Sequence, residues 1–359
     1  MTGAWPHEHG IWQAALCNQR PSRSLRQRFT DCLPDLVTTT GQCFIHQLTH
    51  SCDIPTLPPR RRREFELRRL KFRGRADTAD LMAALGDNES LFRTLGSERA
   101  TYQFTDRLRD RDSVLATACS GSQRLEVVQF HALDMMGHWY LKTDDEYRHF
   151  YGLIDDFVRR LYEKCRANGV TMVLLSDHGQ ERVTNTIDVR RCLRELDLPP
   201  DEYSYFVQAV SARFWFHTDR ARQAIHDLVA GLPNGSGLTY RDFYEYGVRF
   251  PDAEYGELYF VPEPGTILFP DDFYHPLVNL FFGMTNWQER PRIRNRMHIS
   301  SHGYLPQNDC EKGFMVVLND RYSVTAPGMH LIDVAPSLLA MLGVEQPAAM
   351  TGANRFHRA

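Results

Sequence analysis

Apolar residues recur at three- and four-residue spacing between 144 and 168. Tyr147, Phe150, Tyr151, Ile154, Phe157, Val158 and Leu161 would share one face of a helix, with Gly169 as its stop. Just before it, Leu125-Glu-Val-Val-Gln-Phe130 reads as a short strand. Just after it, Val170-Thr-Met-Val-Leu-Leu175 is an apolar run too short for a helix, which suits a strand buried on both faces. Strand, helix, strand in that order predicts a βαβ unit and a parallel sheet. Gly313-Phe-Met-Val-Val-Leu318 adds a further core strand. Residues 331–342 form a last helix, with Asp333 near its start and Gly343 after its end. Residues 77–118 read as helices with short breaks, residues 36–48 as a strand, and residues 1–30 as loop and short helix.

Residues 198–297 differ in character. They are rich in aromatics, Pro and Gly, and mix strand-like stretches (Phe206 to Phe216, Leu258 to Phe269) with a helical one at 220–231. The expected architecture is therefore α/β, a mostly parallel sheet with helices on both faces, interrupted by an inserted α+β cap. Residues 1–197 hold the first part of the core, 198–297 the cap, and 298–359 the last part.

Composition narrows the classes. Across 359 residues, 42 Lys+Arg face 45 Asp+Glu, for a net charge of −3. This balance argues against a partner that is a nucleic-acid polymer. No apolar run approaches the ~18–20 residues of a membrane span. The eight cysteines (17, 32, 43, 52, 119, 165, 192 and 310) include no Cys-x-x-Cys. They read as free thiols, and with an N-terminus unlike a signal peptide they suggest a cytoplasmic protein. Residues 57–75 carry Pro58-Pro59 and nine Lys/Arg. A solvated linker or helix face explains them; a patch for phosphate-bearing partners is the alternative.

Three islands could carry chemistry. Phe130-His-Ala-Leu-Asp134-Met-Met-Gly-His138 follows a predicted strand, and one helical turn puts Asp134 and His138 on one face. Ser176-Asp177-His178-Gly179 follows the next strand, and His298-Ile-Ser-Ser-His302-Gly303 precedes the strand at 313–318. Two carboxylates and three imidazoles at the strand ends of one sheet suit zinc, manganese or iron(II). Magnesium or calcium alone would want more oxygen. Among the other histidines, His46 and His50 sit in a segment read as strand, where their spacing gives no common helical face. His131 stands behind the first island, His217 reads as a structural residue of the cap, and His330 as a surface or capping group.

In this order and spacing the islands resemble the alkaline phosphatase superfamily, most closely its type I phosphodiesterase/nucleotide pyrophosphatase branch. Asp134…His138, Asp177-His178-Gly179 and His302-Gly303 match its three metal segments. Thr2-Gly3-x-x-Pro6-x-x-His9-Gly10-Ile11 is similar to the segment after the family's nucleophile. Ala212-Arg-Phe-Trp-Phe216, Tyr255-Gly-Glu257 and Pro264-Gly265 look like the family's cap, and Asp333-Val-Ala-Pro336 like its C-terminal helix. The resemblance implies two divalent metal ions, zinc first and manganese as the alternative. Asp134, His138 and His302 would bind one, Asp177 and His178 the other. It also implies a Ser/Thr nucleophile, a covalent phosphoryl-enzyme, and a small phosphorylated substrate such as a nucleotide or phosphodiester.

By the same resemblance, the nucleophile, one more Asp ligand and the first βα unit are expected upstream of Met1, where an export signal would also lie. Thr2 stands on the wrong side of its motif to attack. Thr38, Thr39 and Thr40 qualify by residue type only. Two alternatives stand beside the hydrolase. One is a catalytically dead metal-binding scaffold. The other is a sulfatase, phosphonate hydrolase or phosphomutase of the same superfamily.

Overall fold

The computed structural model describes residues 1–9, 15–17, 33–34, 37–42, 64–67, 75–96, 98–105, 107–121, 123–250, 252–274, 297–319, 321–324 and 328–358. At the front, α1 (Pro6–His9) is a single turn. β1 (Ala15–Cys17) pairs antiparallel with β2 (Phe65–Leu67). Most of the basic segment 57–75 lies outside the described residues. So do His46 and His50. Residues 37–42 are helical, which corrects the strand expected at 36–48; residues 43–48 lie outside the described residues. Three threonines in a row favour a strand by composition, but Pro34 opens a helical turn, its carbonyl accepting from the N–H groups of Val37 and Thr38.

The first half of the core is built around a three-stranded sheet. β3 (Arg75–Asp77) leads into α2 (Thr78–Leu85) through a reciprocal cap. The Asp77 carboxylate accepts from the Ala79 and Asp80 N–H groups, and Asp80 accepts from the Asp77 N–H. Ser90 caps α3 (Leu91–Leu95) in the same position. β4 (Ala100–Thr105) follows, then α4 (Arg111–Thr117) and β5 (Leu125–Phe130). β4 corrects the all-helical reading of 77–118. Ala100, Tyr102 and Phe104 are buried while Thr101 and Gln103 are not, a period of two inside a helical context. β3 runs antiparallel to β4, and β4 parallel to β5. Leu81, Leu85, Phe92 and Tyr102 pack with Leu339 and Met350 from the end of the chain. Each side chain fully buried this way contributes ~1.5–3 kcal/mol.

α5 (Ala132–Trp139) leaves the end of β5, and α6 (Asp144–Ala167) is the long amphipathic helix expected from the pattern. Thr143 and Glu146 cap it reciprocally, and it buries Phe150, Phe157 and Cys165. Phe157 stacks on Phe130 at 5.6 Å, tying the helix to β5. β6 (Met172–Leu175), β7 (Glu181–Arg182), β8 (Asn185–Ile187) and α7 (Val189–Glu195) come next.

A second core lies in β9 (Tyr203–Gln208), β10 (Ser211–Phe216), α8 (Asp219–Gly231), β11 (Gly235–Thr239) and β12 (Leu258–Pro262). The four strands form an antiparallel sheet in the order β11-β12-β10-β9. Phe214, Ile225 and Phe260 are fully buried in it, and Ile187, Val189 and Leu193 join the same cluster from outside residues 198–297. His217 approaches the Ser204 hydroxyl at 3.2 Å. Asp272 is buried, accepting from the Val207 N–H and from Arg190.

β13 (Thr266–Leu268), β14 (Ser300–Ser301), β15 (Met315–Leu318), β16 (Tyr322–Val324), α9 (Val334–Met341) and β17 (Phe356–Arg358) complete the chain. Asp333 precedes α9 and is buried. It accepts from the N–H groups of Ala353 and His330 and from Arg355 Nε.

The described residues form an α/β protein with several small sheets, and a mostly parallel sheet is not seen among them. Among the described residues, parallel pairing is confined to β4–β5 and β8–β13. β6 pairs antiparallel with β15, not with β5. It is not buried on both faces either, since Leu175 is 41% exposed. An apolar run reports what a strand could bury, not how many neighbours it has. Cys119, Cys165, Cys192 and Cys310 are free thiols. No helix among the described residues is long and apolar enough to cross a membrane.

Candidate metal centre

Three segments far apart in sequence meet at Asp134. It lies in the first turn of α5, directly beyond β5, and His138 lies one turn further on the same face. His138 Nε2 and His302 Nε2 each stand 3.1 Å from Asp134 Oδ1. One ligand atom from each of the three residues falls within 4.8 Å of the other two. His302 arrives through the two-residue ladder that pairs β14 antiparallel with β7. That ladder is reinforced where Ile299 N–H donates to the His138 carbonyl.

The electrostatics suit a cation. Burial opposes ionisation of Asp134. The hydrogen bonds from His138 and His302, together with their charge, outweigh it and hold the carboxyl well below the usual carboxylate range. His138 is buried, with Nδ1 2.8 Å from the Ser300 carbonyl. A carbonyl only accepts, so Nδ1 carries a proton, and Nε2, which faces Asp134, is the nitrogen that would give up its own proton to an ion. An anionic oxygen and two imidazole nitrogens so oriented fit zinc or manganese.

The other expected ligands are less gathered. The His178 ring stacks on His302 at 3.6 Å and 16°, with its Nδ1 2.9 Å from the Gly179 carbonyl. The Asp177 side chain is 62% exposed and 3.7 Å from its own neighbour His178. Among the described residues, Asp134, His138 and His302 are the one group of three whose ligand atoms lie close enough to hold an ion, and Asp177 and His178 stand beside it as a pair. His131 Nε2 lies 3.4 Å from Asp134 Oδ2, behind the site as expected. The His298 ring lies 4.5 Å from both His138 and Trp139. Thr2 points its hydroxyl at the Ala4 carbonyl, and Thr38, Thr39 and Thr40 lie in the helical stretch 37–42.

Gln180 was not singled out by sequence reasoning. Its Nε2 donates to Asp134 Oδ1 at 2.8 Å and to the Asp134 carbonyl at 3.1 Å. Its one sequence signal is position: it directly follows Asp177-His178-Gly179.

A family model described as type I phosphodiesterase/nucleotide pyrophosphatase matches residues 1–242. No curated protein matches the chain. Among solved structures, human ectonucleotide pyrophosphatase/phosphodiesterase 5 superposes with a TM-score of 0.50 at 14% identity, covering 68% of this chain and 61% of that one. Its murine counterpart gives 0.49 at 13% identity, covering 69% and 61%. The inactive murine protein in complex with AMP also gives 0.49 at 13%, covering 69% and 60%. At such identity the likeness is one of fold, and the chain spans about three fifths of the human protein's length.

Proposed function

The chain belongs to the type I phosphodiesterase/nucleotide pyrophosphatase family, and from that premise we propose that it is a metal-dependent hydrolase of phosphodiester or pyrophosphate bonds in a small phosphorylated substrate such as a nucleotide. The observation that carries this reading is the convergence of Asp134, His138 and His302 at one point, from positions 134 to 302 of the sequence. These three residues would hold one divalent ion, zinc first and manganese as the alternative. A bound ion there would supply charge to polarise a phosphoryl oxygen. The chain's own part is to fix the donors: the Ser300 carbonyl sets the tautomer of His138, and α5 sets its distance from Asp134. Asp177 and His178 would contribute to a second ion beside the first. The cap, residues 198–297, would select the leaving group.

The test is metal content after loading and desalting, read beside hydrolysis of bis(p-nitrophenyl) phosphate. The expected result is retained zinc or manganese in the wild type, with loss of at least one ion and of hydrolysis in His302→Ala. Full metal content in that variant would overturn the ligand assignment. A second reading, a metal-binding scaffold without catalysis, draws on the exposed Asp177, which leaves the second pair unassembled. Retained metal with no turnover of any phosphate ester would favour it.

A further inference from the structure

The site proposed above depends on more than its three donors, and the structure assigns a positioning role to Gln180. We propose that the Gln180 carboxamide locks Asp134 in the rotamer that meets His138 and His302. The inference rests on the metal reading and deepens it.

The amide is held at both ends. Gln180 Nε2 donates to Asp134 Oδ1 at 2.8 Å, and Gln180 Oε1 accepts from Ser300 Oγ at 3.0 Å. A carboxylate only accepts, so the nitrogen must face Asp134. The Ser300 hydroxyl at the other end then matches the oxygen. Ser300 is buried in β14, and its carbonyl is the acceptor that orients His138. One serine therefore orients two things: the imidazole through its carbonyl and the carboxamide through its hydroxyl. Gln180 sits two residues beyond His178 and one before β7, the strand that pairs with β14. It ties the segment after β6, the first turn of α5 and the strand that delivers His302.

Gly137 supplies the room. It lies inside α5, where glycine is a poor helix former. A Cβ at this position would overlap the Gln180 carboxamide oxygen. Glycine at 137 and glutamine at 180 are thus two halves of one fit, and neither is explained by the donor set alone. His138, His302 and Gln180 all meet Asp134 at Oδ1, while His131 stands 3.4 Å from its second oxygen.

Outer-shell partners of this kind are worth ~10–100-fold in metal affinity. The experiment uses the whole metal-stripped chain, with zinc competed against a chromophoric chelator, and thermal unfolding of the same metal-free samples. Gln180→Leu keeps the bulk and removes all three side-chain hydrogen bonds. Gly137→Ala displaces the carboxamide from the other side while improving the helix. The proposal expects both variants to lose ~10–100-fold in zinc affinity. It expects the metal-free unfolding temperature to hold in both and the zinc-loaded one to fall. Affinity within twofold of wild type in both variants overturns the role of Gln180. A loss of affinity matched by an equal loss of metal-free stability overturns it too, because Gln180 would then be structural. A wild type that takes up no zinc removes the metal site itself, and that result is distinct from wild-type uptake with undiminished variants.

Discussion

Replacing Asp271 with Asn should stabilise the protein, and only above mildly acidic pH. Asp271 precedes Asp272 in the chain, and the Phe273 N–H donates to its Oδ1 at 2.9 Å. Burial, with the charge of Asp272, pushes its carboxyl up to about 6 from an ordinary 3.8; the N–H groups of Phe273 and Tyr274 and the charge of Arg190 pull the other way. A carboxyl raised on folding binds its proton more tightly in the native state. Below pH 3.8 both states are protonated and there is no penalty. Between 3.8 and about 6 the unfolded chain ionises first, so stability falls as pH rises. Above that window the cost is constant. At ~1.4 kcal/mol per pH unit the gap amounts to ~3 kcal/mol. Asn keeps an oxygen for the Phe273 N–H and cannot ionise. Urea unfolding of D271N and wild type across about pH 4 to 8 should show curves that coincide at the acid end and separate by ~3 kcal/mol at the other. Comparing the two proteins at each pH cancels every other titration. A difference independent of pH, or one that shrinks as pH rises, would refute the argument.

Asp177→Ala should leave ion content at the first site intact and change stability by no more than ~0.5 kcal/mol, because its side chain is 62% exposed; metal analysis and urea unfolding would read both. Loss of both ions together would show that the ligand partition is wrong. Phe214→Ala opens a hole in the second core where the ring is fully buried, and should cost ~3–5 kcal/mol in the same unfolding assay. A cost under ~1 kcal/mol would mean that Phe214 is not packed as described.

Where the sequence carried a periodic signal, the structure agrees with it. The helix Asp144–Ala167 has seven apolar residues at helical spacing and a reciprocal cap at Thr143, and both its ends fall within a residue of expectation. The Asp134–His138 face was equally legible, because the i, i+4 relation is local. β4 escaped notice although Ala100, Tyr102 and Phe104 alternate, since six residues between helices are too few to outweigh their flanks. The βαβ unit and parallel sheet expected from β5, α6 and β6 rest on element order alone. Order says nothing of which edges meet, and β6 meets β15 instead. His302 could be nominated by residue type but not placed. Its approach depends on β14–β7, a ladder of two residues on each side, too short to leave a pattern. Gln180 could not be found at all, because its partners Asp134 and Ser300 are 46 and 120 residues away.

That same short ladder sets a schedule for the growing chain. Asp134 leaves the ribosome 168 residues before His302. At ~5–20 residues per second, roughly 8–34 s separate them. An ion that needs both has nothing to hold it in that interval, so it cannot help the early segments to fold. Those have only the packing among α2, α3 and β4, still without Leu339 and Met350. Metal capture would then wait for β14, and nascent chains stalled before it should emerge free of zinc at this site.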